Sequence, residues 1–326
     1  MKILLVIAVV LFMSYILIRA ADLVVGSINR INETTKLGSY AISSIILALG
    51  TSLPEFFVGI TSALEENPTI SLGTVTGSNI ANIALVGGIA TLIHGTIRIR
   101  KSVSGKDIAF AVLAGLMPAL LFFDGSLSRV DGLILISIYL AYATSFFKTQ
   151  FKKVAAEEAE AIHVDEEIKS RYVRKIKKRS NGYWGRLFLG IALLLFSADI
   201  IVRLTLFLSD ELSIPKFVIG MVLLAIGTSL PELAFSIRSL EKKENRMFMG
   251  NLLGSTITNS TLILGIVAMI SPIHLVSVGK YTNAVVVFIV VYLTFWFFVR
   301  TKHRLDRWEA GVMIAIFLLF LAMQLY

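Results

Sequence analysis

Gly50-Thr51-Ser52-Leu53-Pro54-Glu55 lies in the middle of an apolar stretch, and the same six residues return as Gly227-Thr228-Ser229-Leu230-Pro231-Glu232, 177 positions later. A carboxylate and a helix-interior proline are each costly at membrane depth, so their recurrence at matched depth asks for one shared purpose. The hexapeptides read as two halves of a single ion-binding site. The rest of the chain reads as the scaffold that brings them together.

The scaffold is a membrane protein. Of 326 residues, 56% are hydrophobic and 16% charged, and mean hydropathy is +0.80. Apolar runs of about 20 residues recur along the chain, the length needed to cross a ~30 Å hydrocarbon core. Barrel strands would be about 10 residues long and alternate in polarity, which these runs do not. The expected fold class is an all-α polytopic membrane protein. The sequence has no cysteine, which excludes disulfides and thiolate metal sites, and its four histidines (His94, His163, His274, His303) are scattered. Neither zinc nor an organic cofactor is expected. The net charge of +9 reads as membrane topology and not as nucleic-acid binding. The opening apolar run after Lys2 has the look of a signal peptide, but Ala21-Asp22 reappears as Ala198-Asp199, again 177 residues on. A segment belonging to an internal repeat is expected to be retained.

Ten transmembrane helices are expected, at 3–25, 38–64, 69–94, 107–123, 130–147, 185–208, 214–239, 247–271, 281–299 and 307–325. Arg30 with Lys36, Arg98 to Lys106, Arg238 to Arg246 and Arg300 to Arg307 would crowd the cytoplasmic loops, leaving Arg129, Lys216 and Lys280 outside. That distribution places both termini extracellularly. The polar stretch from Lys148 to Gly182 reads as a solvated linker whose basic end anchors the sixth span, with a regulatory segment or a binder of anionic lipid heads as the alternatives. The domains expected are a first five-helix repeat at 1–148, a cytoplasmic linker at 149–183 and a second five-helix repeat at 184–326. An odd number of spans per half makes the second enter from the opposite side, an inverted repeat with its site near the midplane.

The chemistry follows from the residue types. Pro54 and Pro231 have no N–H to give to the carbonyls of Gly50 and Gly227, and freed carbonyls in lipid must line a polar cavity. Thr51, Ser52 and Glu55 add oxygens in the first copy, and Thr228, Ser229 and Glu232 in the second. In the following spans Ser78 and Asn82 are four apart on one face, as are Ser255 and Asn259. Gly73, Gly77, Gly250 and Gly254 would let these spans approach the broken helices closely. An all-oxygen donor set with two carboxylates suits calcium or sodium better than transition metals. Thr74, Thr76 and Thr258 read as packing residues. Asp22 and Asp199 read as structural, paired with Arg19 and Arg203.

With these residues in view, the chain resembles the sodium/calcium exchanger family of the cation/calcium exchanger superfamily, in its compact prokaryotic ten-helix form. Gly50–Asn82 and Gly227–Asn259 correspond to the family's paired alpha repeats. The resemblance implies a sodium-driven calcium antiporter of the cell membrane, working by alternating access with the lipid bilayer as surroundings and no obligate protein partner. It implies Glu55 and Glu232 as central carboxylates, and the backbone carbonyls of Thr51 and Thr228 beside them. Ser52, Ser229, Ser78 and Ser255 would complete sodium sites, with Asn82 and Asn259 at the remaining corners. Many members carry aspartate at the position of Asn259 and asparagine at that of Thr256. Two acids in place of three leave the driving ion open, and a calcium/proton antiporter of the same superfamily is the alternative. An intramembrane serine hydrolase lacks a base near Ser52 or Ser229, and a passive channel would not call for inverted broken helices.

Overall fold

A computed structural model describes residues 2–35, 50–99, 105–160, 181–275 and 278–325. In chain order these form α1 (Lys2–Thr35), α2 (Leu53–Leu64), α3 (Pro68–His94), β1 (Ile97–Arg98), α4 (Gly105–Leu121), β2 (Ser126–Leu127) and α5 (Arg129–Glu160). Then follow α6 (Asn181–Leu212), α7 (216–228), α8 (Leu230–Glu241), α9 (245–270), β3 (Ile273–His274), α10 (Val278–Lys302), β4 (Arg304–Leu305) and α11 (Arg307–Leu325). Among the described residues, eight helical stretches are long and apolar enough to cross a membrane: those of α1, α3, α4, α6, α7 with α8, α9, α10 and α11. The span expected at 130–147 falls within α5. The one expected at 38–64 is described only from Gly50 onward. Lys36, Arg100, Lys101 and residues 161–180 of the polar segment lie outside the described residues. Helix α5 continues into that segment as far as Glu160, and α6 begins at Asn181.

Two short ribbons mark the two ends of the bundle. Strand β1 pairs antiparallel with β4, Ile97 opposite Leu305 and Arg98 opposite Arg304. Strand β2 pairs with β3, Ser126 opposite His274 and Leu127 opposite Ile273. The Asn245 amide donates to the Arg98 carbonyl (2.6 Å), placing the start of α9 at the first ribbon, while the end of α9 runs into β3 at the second. Helix α3 ends at β1 after 27 residues, a length of about 40 Å, so its start at Pro68 lies on the β2–β3 side. Lys216 at the start of α7 donates to Asn67 there (2.6 Å). Each ribbon joins one strand from each half of the chain. At the repeat offset β2 overlaps β4 and β1 overlaps β3, each by one residue, so each strand pairs with the copy of the other.

The starts of α5 and α11 also match. Asp131 accepts the Ser128 N–H (2.8 Å), and Glu309 accepts the Asp306 N–H (2.9 Å). In both cases an acid three residues into the helix satisfies an amide that has no intrahelical acceptor.

Helices α1 and α6 pack along each other through Val10, Leu17, Ala20 and Val24 against Leu194, Ala198, Ile201 and Val202. The expected ion pairs sit on this pair's flank: Arg19 with Asp22 (3.8 Å) and Arg203 with Asp199 (3.0 Å). Arg203 reaches further, to Glu65 just beyond α2 (2.6 Å). The larger core is built by α3, α4 and α7 to α11. Lipid tails are as apolar as these side chains, so burial alone does not hold helices together here and close packing must. It is closest between α3 and α7. A Cβ at Gly73 would stand 2.0 Å from the Phe217 carbonyl oxygen, and one at Gly77 2.1 Å from that of Met221. The expectation from the glycines thus holds on α3. On α9 the matching neighbour, residues 40–48, lies outside the described residues, and no described atom comes within 4 Å of a Cβ at Gly250 or Gly254.

Two tests follow from this arrangement. Single cysteines at Asn67 and Arg98, in a chain with none of its own, are expected to react with an impermeant maleimide from opposite sides of the membrane; labelling from the same side overturns the crossing of α3. Gly77→Ala is expected to destabilise the protein by about 1–3 kcal/mol, the usual penalty for overpacking, seen as a lower Tm in detergent. Gly87→Ala, where the nearest atom is an ordinary 3.4 Å away, is expected to leave Tm unchanged or raise it.

Candidate cation site

Each hexapeptide forms a broken helix. Thr51 and Ser52 make a turn before α2 starts at Leu53, and Ser229 separates α7 from α8. Ser52 has φ −86° and ψ 6°, and Ser229 φ −82° and ψ 0°, the same backbone in both copies. Phe56 N–H still reaches the Ser52 carbonyl (3.0 Å) and Leu233 N–H that of Ser229 (3.1 Å), so the helical path is interrupted and then resumed. Pro54 and Pro231 occupy the second helical position, where a missing N–H costs nothing. Both withhold the amide that Gly50 and Gly227 would otherwise accept.

Ser-x-x-Glu at a helix start normally closes into a reciprocal cap, serine to the third amide and glutamate back to the serine amide. Neither copy uses it. Ser52 and Ser229 make no side-chain cap bond, and their oxygens face inward, buried. Glu55 is 1% exposed and Glu232 fully buried. The first-turn amides of α2 and α8 lie at the carboxylates, where the helix dipole favours negative charge.

Neighbouring helices complete the cluster. Ser78 on α3 donates toward Glu55 Oε1 (3.3 Å), lies 3.2 Å from Thr228 Oγ1, and is 3.4 Å from the Ala225 carbonyl, so it touches both breaks. Asn82 Nδ2 donates to Ser255 Oγ across the halves (3.0 Å). Thr51 Oγ1 donates to Asn251 Oδ1 (3.1 Å), and Asn251 Nδ2 points to the Glu232 carbonyl and to Ser236 Oγ, each at 3.4 Å. Asn259 Nδ2 reaches Asn79 Oδ1 on α3 (3.3 Å). Asn82 and Asn259 each fall in a π-helical turn, Asn82–Val86 and Thr258–Ile263, a local widening frequent at functional sites.

Buried oxygens without a hydrogen bond from any described residue are few. They include Ser52 Oγ, Ser229 Oγ, Glu55 Oε2, both Glu232 carboxylate oxygens, Asn82 Oδ1 and Asn259 Oδ1. These are three residue pairs, each related by the 177-residue offset. Among the described residues no group of three or more His, Cys, Asp or Glu is placed to hold a metal, so the acidic content of this cluster is the two glutamates alone.

The expected residues Thr51, Ser52, Glu55, Ser78, Asn82, Thr228, Ser229, Glu232, Ser255 and Asn259 are all buried. Thr74 and Thr76 bond the carbonyls of Ile70 and Leu72 on their own helix, as packing residues do. The sequence reading passed over Asn251, Asn79, Ser236 and Ser260. At the repeat offset Asn251 stands opposite Thr74 and Asn79 opposite Thr256, so neither shows as a repeated residue. Their signal was simply an amide side chain at membrane depth, which needs a partner.

The family profile described as "Sodium/calcium exchanger protein" matches residues 5–148 and 182–326. The chain belongs to that family. Among curated relatives of this exchanger-family chain is the Sodium/calcium exchanger MaX1 of Methanosarcina acetivorans, 26% identical over 95% of both proteins. The Inner membrane protein YrbG of Escherichia coli is 29% identical over 79% of this chain and 77% of its own length. Of solved structures, the sodium-calcium exchanger NCX_Mj superposes with a TM-score of 0.62 at 24% identity, covering 95% of this chain and 96% of the other. The H+/Ca2+ exchanger CAX superposes with a TM-score of 0.72 at 16% identity, over 98% of this chain and 86% of its own. At these identities the structures speak to the fold, that of a helical multi-pass membrane exchanger.

Proposed function

We propose that this protein is a secondary antiporter of the cell membrane that carries sodium in and calcium out through one alternating-access site. The reading rests on one observation: among the described residues seven of the ten unpartnered buried side-chain oxygens fall on Ser52, Glu55, Asn82 and on their copies Ser229, Glu232, Asn259, the other three being on Ser71, Thr205 and Gln324. Two glutamates balance one dication, and the serine and asparagine oxygens bring the count into the range of 6–8 donors that calcium takes. The carbonyls of Thr51 and Thr228 and the hydroxyls of Ser78 and Ser255 add further donors at the breaks. Sodium ions use the same hard oxygens and compensate the same two charges. Calcium and sodium therefore exclude one another, which is the requirement for exchange.

The halves at 1–148 and 184–326, joined by the 149–183 segment, form in this reading an inverted repeat of five helices each. The reciprocal strand pairing of the two ribbons supports a two-fold relation between them. The charge distribution supports extracellular termini, with Arg98 cytoplasmic and Asn67 outside. A second reading, calcium/proton exchange, draws on the superposition with CAX. Calcium flux in proteoliposomes under imposed sodium, potassium or pH gradients separates the two: uptake that follows sodium and ignores pH supports the first.

Glu55→Gln and Glu232→Gln are each expected to abolish calcium flux without loss of folded protein. At an effective dielectric of ~20, a carboxylate ~4 Å from a dication contributes on the order of 8 kcal/mol before desolvation. Normal flux in both variants would move the site elsewhere. Asn259→Asp adds an acid that protons occupy in competition with the cation. Between pH 6 and 9, sodium-driven calcium uptake by the native chain is expected to vary less than that of the variant, which loses activity on the acid side. Superimposable profiles would remove residue 259 from the ion path.

A further inference from the structure

Asn259 presents a chemical ambiguity that its surroundings resolve. A carboxamide has an oxygen that attracts a cation and an NH2 that repels it, and half a turn about the terminal bond exchanges them with almost no change in shape. A ligand of this type is reliable only when neighbours claim the NH2. Asn259 Nδ2 donates to Asn79 Oδ1 (3.3 Å), and Asn79 Nδ2 donates to Ser260 Oγ (2.7 Å). All three residues are buried. The Asn259 oxygen is thereby left free of any described donor.

We infer that Asn79 and Ser260 are positioning residues, a hydrogen-bonded relay that holds the Asn259 carbonyl oxygen toward the transported cation. The inference rests on the cation site proposed above. Its logic is repeated with other residues in the first half, where Ser255 takes the Asn82 amide NH2 (3.0 Å) and leaves Asn82 Oδ1 unpartnered. The relay itself has no copy. At the repeat offset from Asn79 stands Thr256, whose hydroxyl is bonded to Tyr292. The residue next to Asn82 that corresponds to Ser260 is Ile83. The two amides of the site are therefore oriented by different means, one by a single serine from the opposite half and one by an asparagine–serine pair. Ser260 anchors the far end by accepting the Asn79 NH2, which leaves the Asn79 oxygen to accept from Asn259. Without it the Asn79 amide is free to turn and offer its own NH2 to Asn259, which reverses both groups.

The test reads cation binding without transport. Purified full-length protein in detergent is titrated with calcium, and the half-saturating concentration is taken from the rise in Tm. Asn79→Leu is expected to weaken calcium by about 10- to 100-fold, the usual cost of removing a partner that orients a metal ligand. Ser260→Ala is expected to shift it in the same direction, and Ser260→Thr, which keeps the hydroxyl, to restore native half-saturation. In an Asn259→Ala background Asn79→Leu is expected to add nothing, since residues acting through one group are not additive. Native half-saturation in both Asn79→Leu and Ser260→Ala overturns the relay, as does an Asn79→Leu loss that persists in the Asn259→Ala background. Equal losses in Ser260→Thr and Ser260→Ala also overturn it. A native protein with no calcium-dependent rise in Tm sinks the cation site itself, a separate and recognisable failure.

Discussion

Glu55 and Glu232 bury two carboxyl groups in the middle of a membrane protein, and the remaining architecture answers to that. Taking a charge out of water costs several kcal/mol even after the protein relaxes, and within a bilayer the surroundings offer nothing in return. The chain meets the cost with hydroxyl donors and with the N–H groups of helix starts. None of these is a cation. Arg203 on α6 is engaged with Asp199 and Glu65 at the bundle's flank. With no basic partner among the described residues, the two acids are open to a mobile cation in the proposed cycle.

That choice explains the tightest packing in the molecule. Ser78 can touch Glu55, Thr228 and the Ala225 carbonyl at once only if α3 lies against the broken helix α7. Two helices with ordinary side chains at the contact stay 8–10 Å apart. Glycines at 73 and 77 remove that limit, so their missing Cβ atoms and the position of Ser78 are parts of the same device. The broken helices contribute in turn by not capping themselves. Ser-x-x-Glu would close on its own backbone at any surface helix, and here it stays open on both sides of the site. A local rule is broken in both copies at the same place, which is where function is expected to conflict with local preference.

The two copies are alike in sequence and unlike in their bonds. Ser78 donates to Glu55 Oε1 (3.3 Å), while its copy Ser255 accepts from Asn82 (3.0 Å). Thr51 is tied to Asn251, while Thr228 faces Ser78. The hexapeptides are identical, so the difference comes from the second layer, where Thr74 answers to Asn251 and Asn79 to Thr256. A pseudo-symmetric frame carrying an asymmetric second layer thus gives the two glutamates different hydrogen-bonded surroundings.

Much of this was legible in the chain alone, for a physical reason. Lipid imposes a composition and a length on every crossing segment, so helices and their order can be read from apolar runs. A proline and an acid at that depth stand out because they are expensive. Repetition at a fixed offset then ties Glu55 to Glu232, Ser52 to Ser229 and Asn82 to Asn259 without any coordinates. What repetition does not show is whatever differs between the copies. Asn251 and Asn79 became visible only when α3, α8 and α9 were placed against one another, because a hydrogen bond between residues some 180–200 positions apart leaves no periodic trace. The glycines make the same point from the other side. Spacing says only that Gly73 and Gly77 permit a close approach, and the fold shows that the Phe217 and Met221 carbonyls take it up. Which face of a helix finds a neighbour is decided by tertiary packing, since an absent side chain says only that something is allowed to come near.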